Sequence, residues 1–276
     1  MAQITPITEN ELKELVTIRG FNLQLLQKDH YITLVLYLIK DVPDIYFKGG
    51  TALNKIFLHH ARLSEDIDFT ITRNTKEVQA EIVTLLRDTH LFTNITEDKN
   101  VPEFLRIVLS YKTLSGTEDK IFIDLNKRAT MLCKPEEHRI EHFYGSHIPQ
   151  FSVKTLAVEE MIAEKLKATM TRNKPRDHFD IYKILEAKLP LNIILTKKKC
   201  REAGKEFSIV RIFKNAQKLK TQWDSDLLPL LTEEVPFETV IKELAKQFKL
   251  REEKDKVKKD KEIVALLAQK IKEVKA

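Results

Sequence analysis

The stretch from Phe47 to Phe69 constrains this chain more than any other. It runs Phe47-Lys-Gly-Gly-Thr-Ala-Leu-Asn-Lys55 and then, after a short gap, Arg62-Leu-Ser-Glu-Asp-Ile-Asp-Phe69. The order reads as a strand end, a glycine turn, a short helix, a tight turn and a second strand. Gly49 and Gly50 let the backbone turn sharply and approach a ligand closely. Thr51 is expected to cap the helix, with Leu53, Ile56 and Phe57 on its apolar face. Free N–H groups at such a helix start suit a phosphate. Asp66-Ile-Asp-Phe-Thr-Ile71 alternates, so a strand puts Asp66 and Asp68 on one face and Ile67, Phe69 and Ile71 on the other. Two carboxylates so placed can hold a pair of divalent metals roughly 4 Å apart, the spacing of in-line phosphoryl chemistry. A glycine turn to grip a triphosphate beside acids to hold Mg²⁺ points to nucleotidyl transfer. The plainer alternative is a βαβ-like turn with two solvent-facing aspartates.

Lys48-Gly-Gly-Thr-Ala-Leu53 followed by Arg62-Leu-Ser-Glu-Asp-Ile-Asp68 resembles the signature of the AbiEii/AbiGii nucleotidyltransferase toxins of type IV toxin–antitoxin systems, within the DNA polymerase β-like superfamily. The glycine turn, the arginine and the Ser-Glu-Asp-Ile-Asp run occur in order, which a lone Gly-Gly or Asp-x-Asp would not match. The segment Gln27-Lys-Asp-His-Tyr31 also resembles the family's N-terminal region. The resemblance covers roughly residues 20–248.

At 276 residues, 32% charged and 42% hydrophobic, the chain can bury a sizeable core in one large domain or two smaller ones. A net charge of +6 is compatible with an RNA or nucleotide partner. Cys133 and Cys200 form neither a metal-type spacing nor a disulfide framework. With no signal pattern and no apolar run near the ~20 residues that span a bilayer, a cytoplasmic setting without a membrane partner is expected.

Thr8-Glu-Asn-Glu11 is a capping-box pattern opening a first helix, and a second is expected from Leu23 to Lys40, both beside the sheet. A helix from Thr75 should bury Val78, Ile82, Leu85 and Leu86. Phe104–Tyr111 and Ile121–Leu125 read as a strand hairpin around the Ser115-Gly-Thr117 turn. Such a hairpin can lay its second strand beside Asp66 and Asp68, making Asp124 a third carboxylate. The alternative for Asp124 is an acid capping a turn.

Further on, Val158, Met161 and Ile162 form a helical stripe with Lys165 in its middle. Arg172 follows on the same side, while Lys167 points away, towards solvent. A lysine in an apolar stripe is costly unless it meets an anion or snorkels. The next helix should begin at Pro175 and carry Asp177 and Asp180 on or beside its apolar face. Lys165, Arg172, Asp177 and Asp180 thus converge, either as a functional group or as a buried ion-pair network between two helices. This segment also resembles the family's second signature. There the lysine is thought to contact nucleotide phosphates, and the acids are needed for activity.

Beyond Leu189 the chain reads as helical. Lys197-Lys-Lys-Cys-Arg201 is a basic knot, read as a solvated face or an RNA contact. Trp223 with Leu227, Leu228, Leu230 and Leu231 reads as core, and Phe237–Phe248 as an amphipathic helix. Residues 249–262 alternate charge, and Ile263, Val264, Leu266, Leu267 and Ile271 resume an apolar stripe.

The expected architecture is an α/β (α+β) polymerase β-like core with a mixed sheet over residues 1–150 and a helical domain over 151–276. The NTP would lie between them. Lys48, Gly49, Gly50, Thr51, Arg62, Lys165, Arg172 and Asp177 are its expected binding residues. Asp66, Asp68 and Asp124 are expected to hold Mg²⁺, two ions in all, and with Lys165 and Asp180 to make up the catalytic set. The resemblance implies a tRNA 3′ end as acceptor and a cognate antitoxin as partner. Protein AMPylation, small-molecule nucleotidylation and a non-catalytic nucleotide- or RNA-binding module are the rival readings.

Overall fold

Thr8 opens the first helix, α1 (Glu9–Arg19), through the expected capping box. Glu11 N–H donates to Thr8 Oγ1 at 3.3 Å and Thr8 N–H donates back to Glu11 Oε2 at 2.8 Å. Two otherwise orphaned donors are thereby satisfied. Asn22 caps α2 (Leu23–Ile39), most of which is buried. The computed structural model describes residues 4–5 and 7–275, with side chains for all of these except 264 and 266–275.

The sheet is built from β1 (Ile45–Lys48), then, after α3 (Gly49–Ile56), β2 (Asp66–Ile71), and, after α4 (Thr75–Arg87), β3 (Asn94–Val101), β4 (Phe104–Lys112), β5 (Glu118–Asn126), β6 (Glu136–Arg139) and β7 (Ser152–Thr155). All join one mixed sheet in the order β3-β4-β5-β2-β1-β7-β6. β2 sits at its centre, antiparallel to β1 and parallel to β5. Its period-2 pattern is realised: Ile67, Phe69 and Ile71 are at most 2% exposed, while Asp66 and Asp68 face the other way, half-buried. The β4–β5 hairpin lays β5 beside β2. α4 packs on β4 and β5, with α2 against α4.

Some local expectations are corrected. Thr51 is not a cap: α3 starts at Gly49 with Lys48 before it, and Thr51 Oγ1 donates instead to the Asp66 carbonyl. The hydroxyl therefore ties the helix to the strand that bears the acids. Leu85 is 41% exposed, because only Val78, Ile82 and Leu86 of α4 meet the core. β3, β6 and β7 have no counterpart in the sequence reading, and β7 extends the sheet past residue 150.

A helical run follows: α5 (Val158–Thr171), α6 (Pro175–Glu186), α7 (Ile193–Glu202), α8 (Ile209–Ile212), α9 (Ala216–Asp226), a 3-10 turn at Leu228–Leu230, α10 (Phe237–Gln247) and α11 (Leu250–Lys275). Pro175 takes the first position of α6, where its missing N–H costs nothing. Trp223 is core, 1% exposed, and its indole N–H donates to the Val235 carbonyl at 2.8 Å. Lys199 departs from the expected solvated or RNA-facing knot. It is 1% exposed and pairs with Glu160 and, at 3.4 Å, with Glu164. On α11, Ile263 is 55% exposed, and the expected stripe through Val264, Leu266, Leu267 and Ile271 lies outside the described side chains. Among the described residues no helix is long and apolar enough to cross a membrane.

Candidate active site

Strand register builds the site. Lys48 on β1 pairs with Asp68 on β2, Asp68 with Asp124 on β5, and Asp124 with Arg106 on β4. The sheet thus carries a row of cation, acid, acid, cation across four strands, with Asp66 two residues along β2. The cations do not behave alike. Arg106 closes on Asp124, donating from Nε at 2.6 Å and Nη2 at 2.8 Å. Lys48 turns to Glu164, 3.1 Å away, and leaves Asp68 alone. Among the described residues neither the Asp66 nor the Asp68 side chain has a hydrogen-bond or ion-pair partner. Burial raises the Asp66 carboxyl above its ordinary value, with Arg176 opposing. Burial pushes Asp68 up to about 6; Lys48 opposes, and Asp124 and Asp66 add to the rise.

The glycine turn closes over these acids. Gly49 has φ +83°, and a Cβ there would overlap the Asp68 carboxylate. A Cβ at Gly50 would overlap the Arg62 guanidinium. Both positions need glycine, Gly49 for its backbone conformation and both for close approach.

The face opposite is a chain of five charges between α5 and α6. Arg172 donates from Nε and Nη2 to Asp177 at 2.6 and 2.8 Å. Lys165 Nζ bridges Asp177 at 3.0 Å and Asp180 at 2.8 Å. Arg62 donates from Nε and Nη2 to Asp180 at 2.7 and 2.8 Å. Burial would raise both acids, but Lys165 and Arg172 hold Asp177 well below the usual carboxylate range, and Arg62 and Lys165 hold Asp180 down likewise. Asp177 and Asp180 have no exposed surface, and Arg62 is 2% exposed, also donating to Ser64 Oγ and the Leu63 carbonyl. The expectation of a nucleotide contact for Arg62 and Asp177, and of a catalytic contact for Asp180, therefore meets a geometry in which all three are buried in mutual pairs. Asp180 is held between Arg62 and Lys165, and Asp177 between Lys165 and Arg172; Arg62 also lines the smaller cavity beside the acids. Arg172 keeps 56% of its side chain exposed.

Two adjoining cavities flank the acids. One of about 170 Å³ is lined by Gly50, Thr51, Asp66, Asp68, Asp124, Arg106, Lys165, Arg172 and Arg176, among others. The other, about 300 Å³, adds Lys48, Glu164, Asn126 and Lys167. Lys167 is thus half-buried and lines the cleft rather than being directed away from it. Burial would raise Glu164, yet Lys48, Lys199 and Lys167 hold it at about 2.

The donor set fits a hard divalent cation. Asp66 and Asp68 are adjacent, unpartnered carboxylates held partly out of water. Among the described residues no ready-made cluster of three ligands exists, and Arg106 occupies both Asp124 oxygens. Mg²⁺ commonly binds through one or two carboxylates plus substrate phosphates, so a two-acid site suffices. Sequence reading missed Arg106, Arg176, Glu164 and the Glu160–Lys199 pair. For Arg106 a signal exists: a hairpin centred on Ser115 pairs 106 with 124.

A glycine turn that opens a helix and packs against paired carboxylates on a central strand is the arrangement of a nucleotidyltransferase. The chain belongs to the family described as nucleotidyl transferase AbiEii toxin, type IV toxin–antitoxin system, whose model matches residues 36–250. Among solved structures, JHP933 from Helicobacter pylori is similar at 20% identity, covering 90% of this chain and 99% of that one with a TM-score of 0.58. MenT4, a nucleotidyltransferase toxin from Mycobacterium tuberculosis, matches at 18% identity over 76% of this chain and 72% of its own, with a TM-score of 0.54. At these identities the likeness concerns the fold. No curated protein matches the sequence.

Proposed function

We propose that this nucleotidyltransferase moves a nucleoside monophosphate from an NTP to the 3′ end of tRNA, with Mg²⁺ held by Asp66 and Asp68. The observation that carries the reading is the contrast within the site: its other acids are ion-paired, and these two are not. When bound, Mg²⁺ supplies charge neutralisation on the triphosphate and polarises the phosphoryl group under attack. The Gly49–Gly50 backbone lets the triphosphate come close to the strand. Lys165, Lys167 and Arg172 line the cleft as its countercharge, and Lys165 is fixed there by Asp177 and Asp180. Asp124 is the acid nearest Asp68 across the sheet and the candidate to accept the acceptor hydroxyl's proton once Arg106 lets it go. The α-phosphorus then bonds to that hydroxyl oxygen and pyrophosphate leaves.

The tRNA acceptor and a cognate antitoxin rest on the family, and the net charge of +6 agrees with an RNA partner. The test is incubation with Mg²⁺, each α-labelled NTP in turn, total tRNA and total protein, beside an Asp66→Ala/Asp68→Ala control. Label on tRNA that the control lacks supports the reading. Label on a protein band instead replaces tRNA by a protein hydroxyl, and label on neither defeats transfer to either.

A further inference from the structure

Arg106 stands out because it occupies the one acid of the row that could join Asp66 and Asp68 in the proposed metal site. Its guanidinium covers both oxygens of Asp124, at 2.6 and 2.8 Å, in the two-point geometry that arginine makes with carboxylates. It also lies over the Phe122 ring, 5.0 Å from the centroid, on the same face of β5. Two anchors therefore hold it where it is. The pair is not sealed in: 30% of the Arg106 side chain and 14% of that of Asp124 remain exposed. Arg106 lines the same small cavity as Gly50, Asp66 and Asp68, so an anion entering that cavity meets its guanidinium.

We infer that Arg106 is a positioning residue that keeps Asp124 out of the metal site until a triphosphate draws the guanidinium away. The inference rests on the proposed metal-dependent transfer and adds an order of events to it. Without nucleotide, Asp66 and Asp68 alone face the cation, and Asp124 is neutralised by its partner across the hairpin. A triphosphate offers Arg106 several phosphate oxygens at once, a charge-assisted site at least as good as one carboxylate. Asp124 is then released directly opposite Asp68, and the third acid becomes available only when there is a substrate to act on. Metal and nucleotide binding are coupled by this switch, and by reciprocity each strengthens the other.

The experiment is a titration of Mn²⁺, followed by its paramagnetic resonance signal, into the full chain. Wild type, Arg106→Gln, Asp124→Asn and the double variant are compared with and without a non-hydrolysable NTP analogue, each after a thermal melt that verifies folding. Without nucleotide, Arg106→Gln is expected to bind Mn²⁺ roughly tenfold tighter than wild type, within the usual range of coupling between sites. That gain is expected to vanish when Asp124→Asn is added, and to shrink when the analogue is present. Equal Mn²⁺ affinity of wild type and Arg106→Gln overturns the inference. So does a gain that survives Asp124→Asn, because plain charge repulsion would explain it. If Arg106→Gln does not fold, Arg106→Lys takes its place: it keeps the charge but loses the two-point grip, and a smaller gain with the same dependence on Asp124 is expected. An Asp66→Asn/Asp68→Asn variant that binds Mn²⁺ as wild type does would instead defeat the metal reading itself, and the inference with it.

Discussion

Asp68 on β2 stands directly opposite Asp124 on β5, yet only Asp124 is ion-paired. The asymmetry has a simple cause. Each acid has a cation next to it in the same row, but Lys48 is drawn to Glu164 while Arg106 has no comparable rival among the described residues. The result is an Asp66–Asp68 pair that is partly buried, mutually repelling and without a direct ion-pair partner among the described residues. Folding alone gains nothing from such a pair, so its presence points to a ligand.

The first prediction separates function from stability. Asp66→Asn and Asp68→Asn each remove a repelling charge that has no partner to lose. Transfer activity is expected to fall by at least about 10²-fold, as for loss of a group acting on developing charge. The melting temperature is expected to stay level or rise. A drop in melting temperature that parallels the loss of activity would mean that these acids are structural.

Asp180→Asn should do the reverse. Arg62 and Lys165, 2% and 5% exposed, would keep their charges without their shared acid. Breaking a buried pair in this way costs about 3–5 kcal/mol. Urea unfolding followed by circular dichroism is the measurement, and a midpoint within error of wild type would contradict the buried network.

Gly49 and Gly116 make a matched pair. Both have positive φ, +83° and +82°, but a Cβ at Gly116 meets nothing within 4 Å while one at Gly49 overlaps Asp68. Gly116→Ala is expected to cost only the backbone term, roughly 1–2 kcal/mol. Gly49→Ala should carry that cost and also lose nucleotide binding, because Asp68 must move. Equal nucleotide affinity in the two variants would remove the close approach from the account.

How far the sequence went can be judged from these same residues. Asp66, Asp68 and the glycine turn were legible because the strand period and the glycine demand are local. The β4–β5 hairpin was legible from its alternation and its turn, but the placement of Asp124 beside Asp68 is a pairing between distant strands and was expected chiefly from the family resemblance. β3, Asn94-Ile-Thr-Glu-Asp-Lys-Asn-Val101, was not legible: it is an edge strand, largely exposed, and has no alternating apolar residues to announce it. β6 and β7 are four residues each, too short for a period to register. Arg106 sat inside a predicted strand, but its partner depends on hairpin register, which no single-strand pattern reports. Lys199 looked like part of a surface knot because its buried partners, Glu160 and Glu164, lie some forty residues upstream on α5. Even the helical wheel that brought Lys165 to Asp177 and Asp180 could not say which groups stayed open to solvent.

Acid should weaken the fold through three histidines held at least partly out of water. Burial lowers His30 and His142 to about 4 and His60 to about 3. The unfolded chain takes up protons near pH 6.5 and the folded one only well below, so stability falls as pH drops from 6.5 towards 4. Between pH 7 and pH 5 each histidine costs on the order of 2 kcal/mol. Asp68, raised to about 6, works in the opposite sense and returns on the order of 1 kcal/mol over the same range. A net loss is expected in urea midpoints at the two pH values. His60→Phe, which keeps a ring against Phe143, should remove about a third of the histidine part. An unchanged pH response in that variant would contradict a neutral, buried His60.

The central claim is that Asp66 and Asp68 bind a divalent cation together with an NTP. Its most direct test is calorimetric binding of a non-hydrolysable NTP analogue, with Mg²⁺ and with EDTA, to wild type and to Asp66→Asn/Asp68→Asn. The account predicts binding that needs Mg²⁺ in wild type and is lost in the variant, with both proteins equally folded. Binding that persists in EDTA, or Mg²⁺-dependent binding that the variant retains, would contradict it.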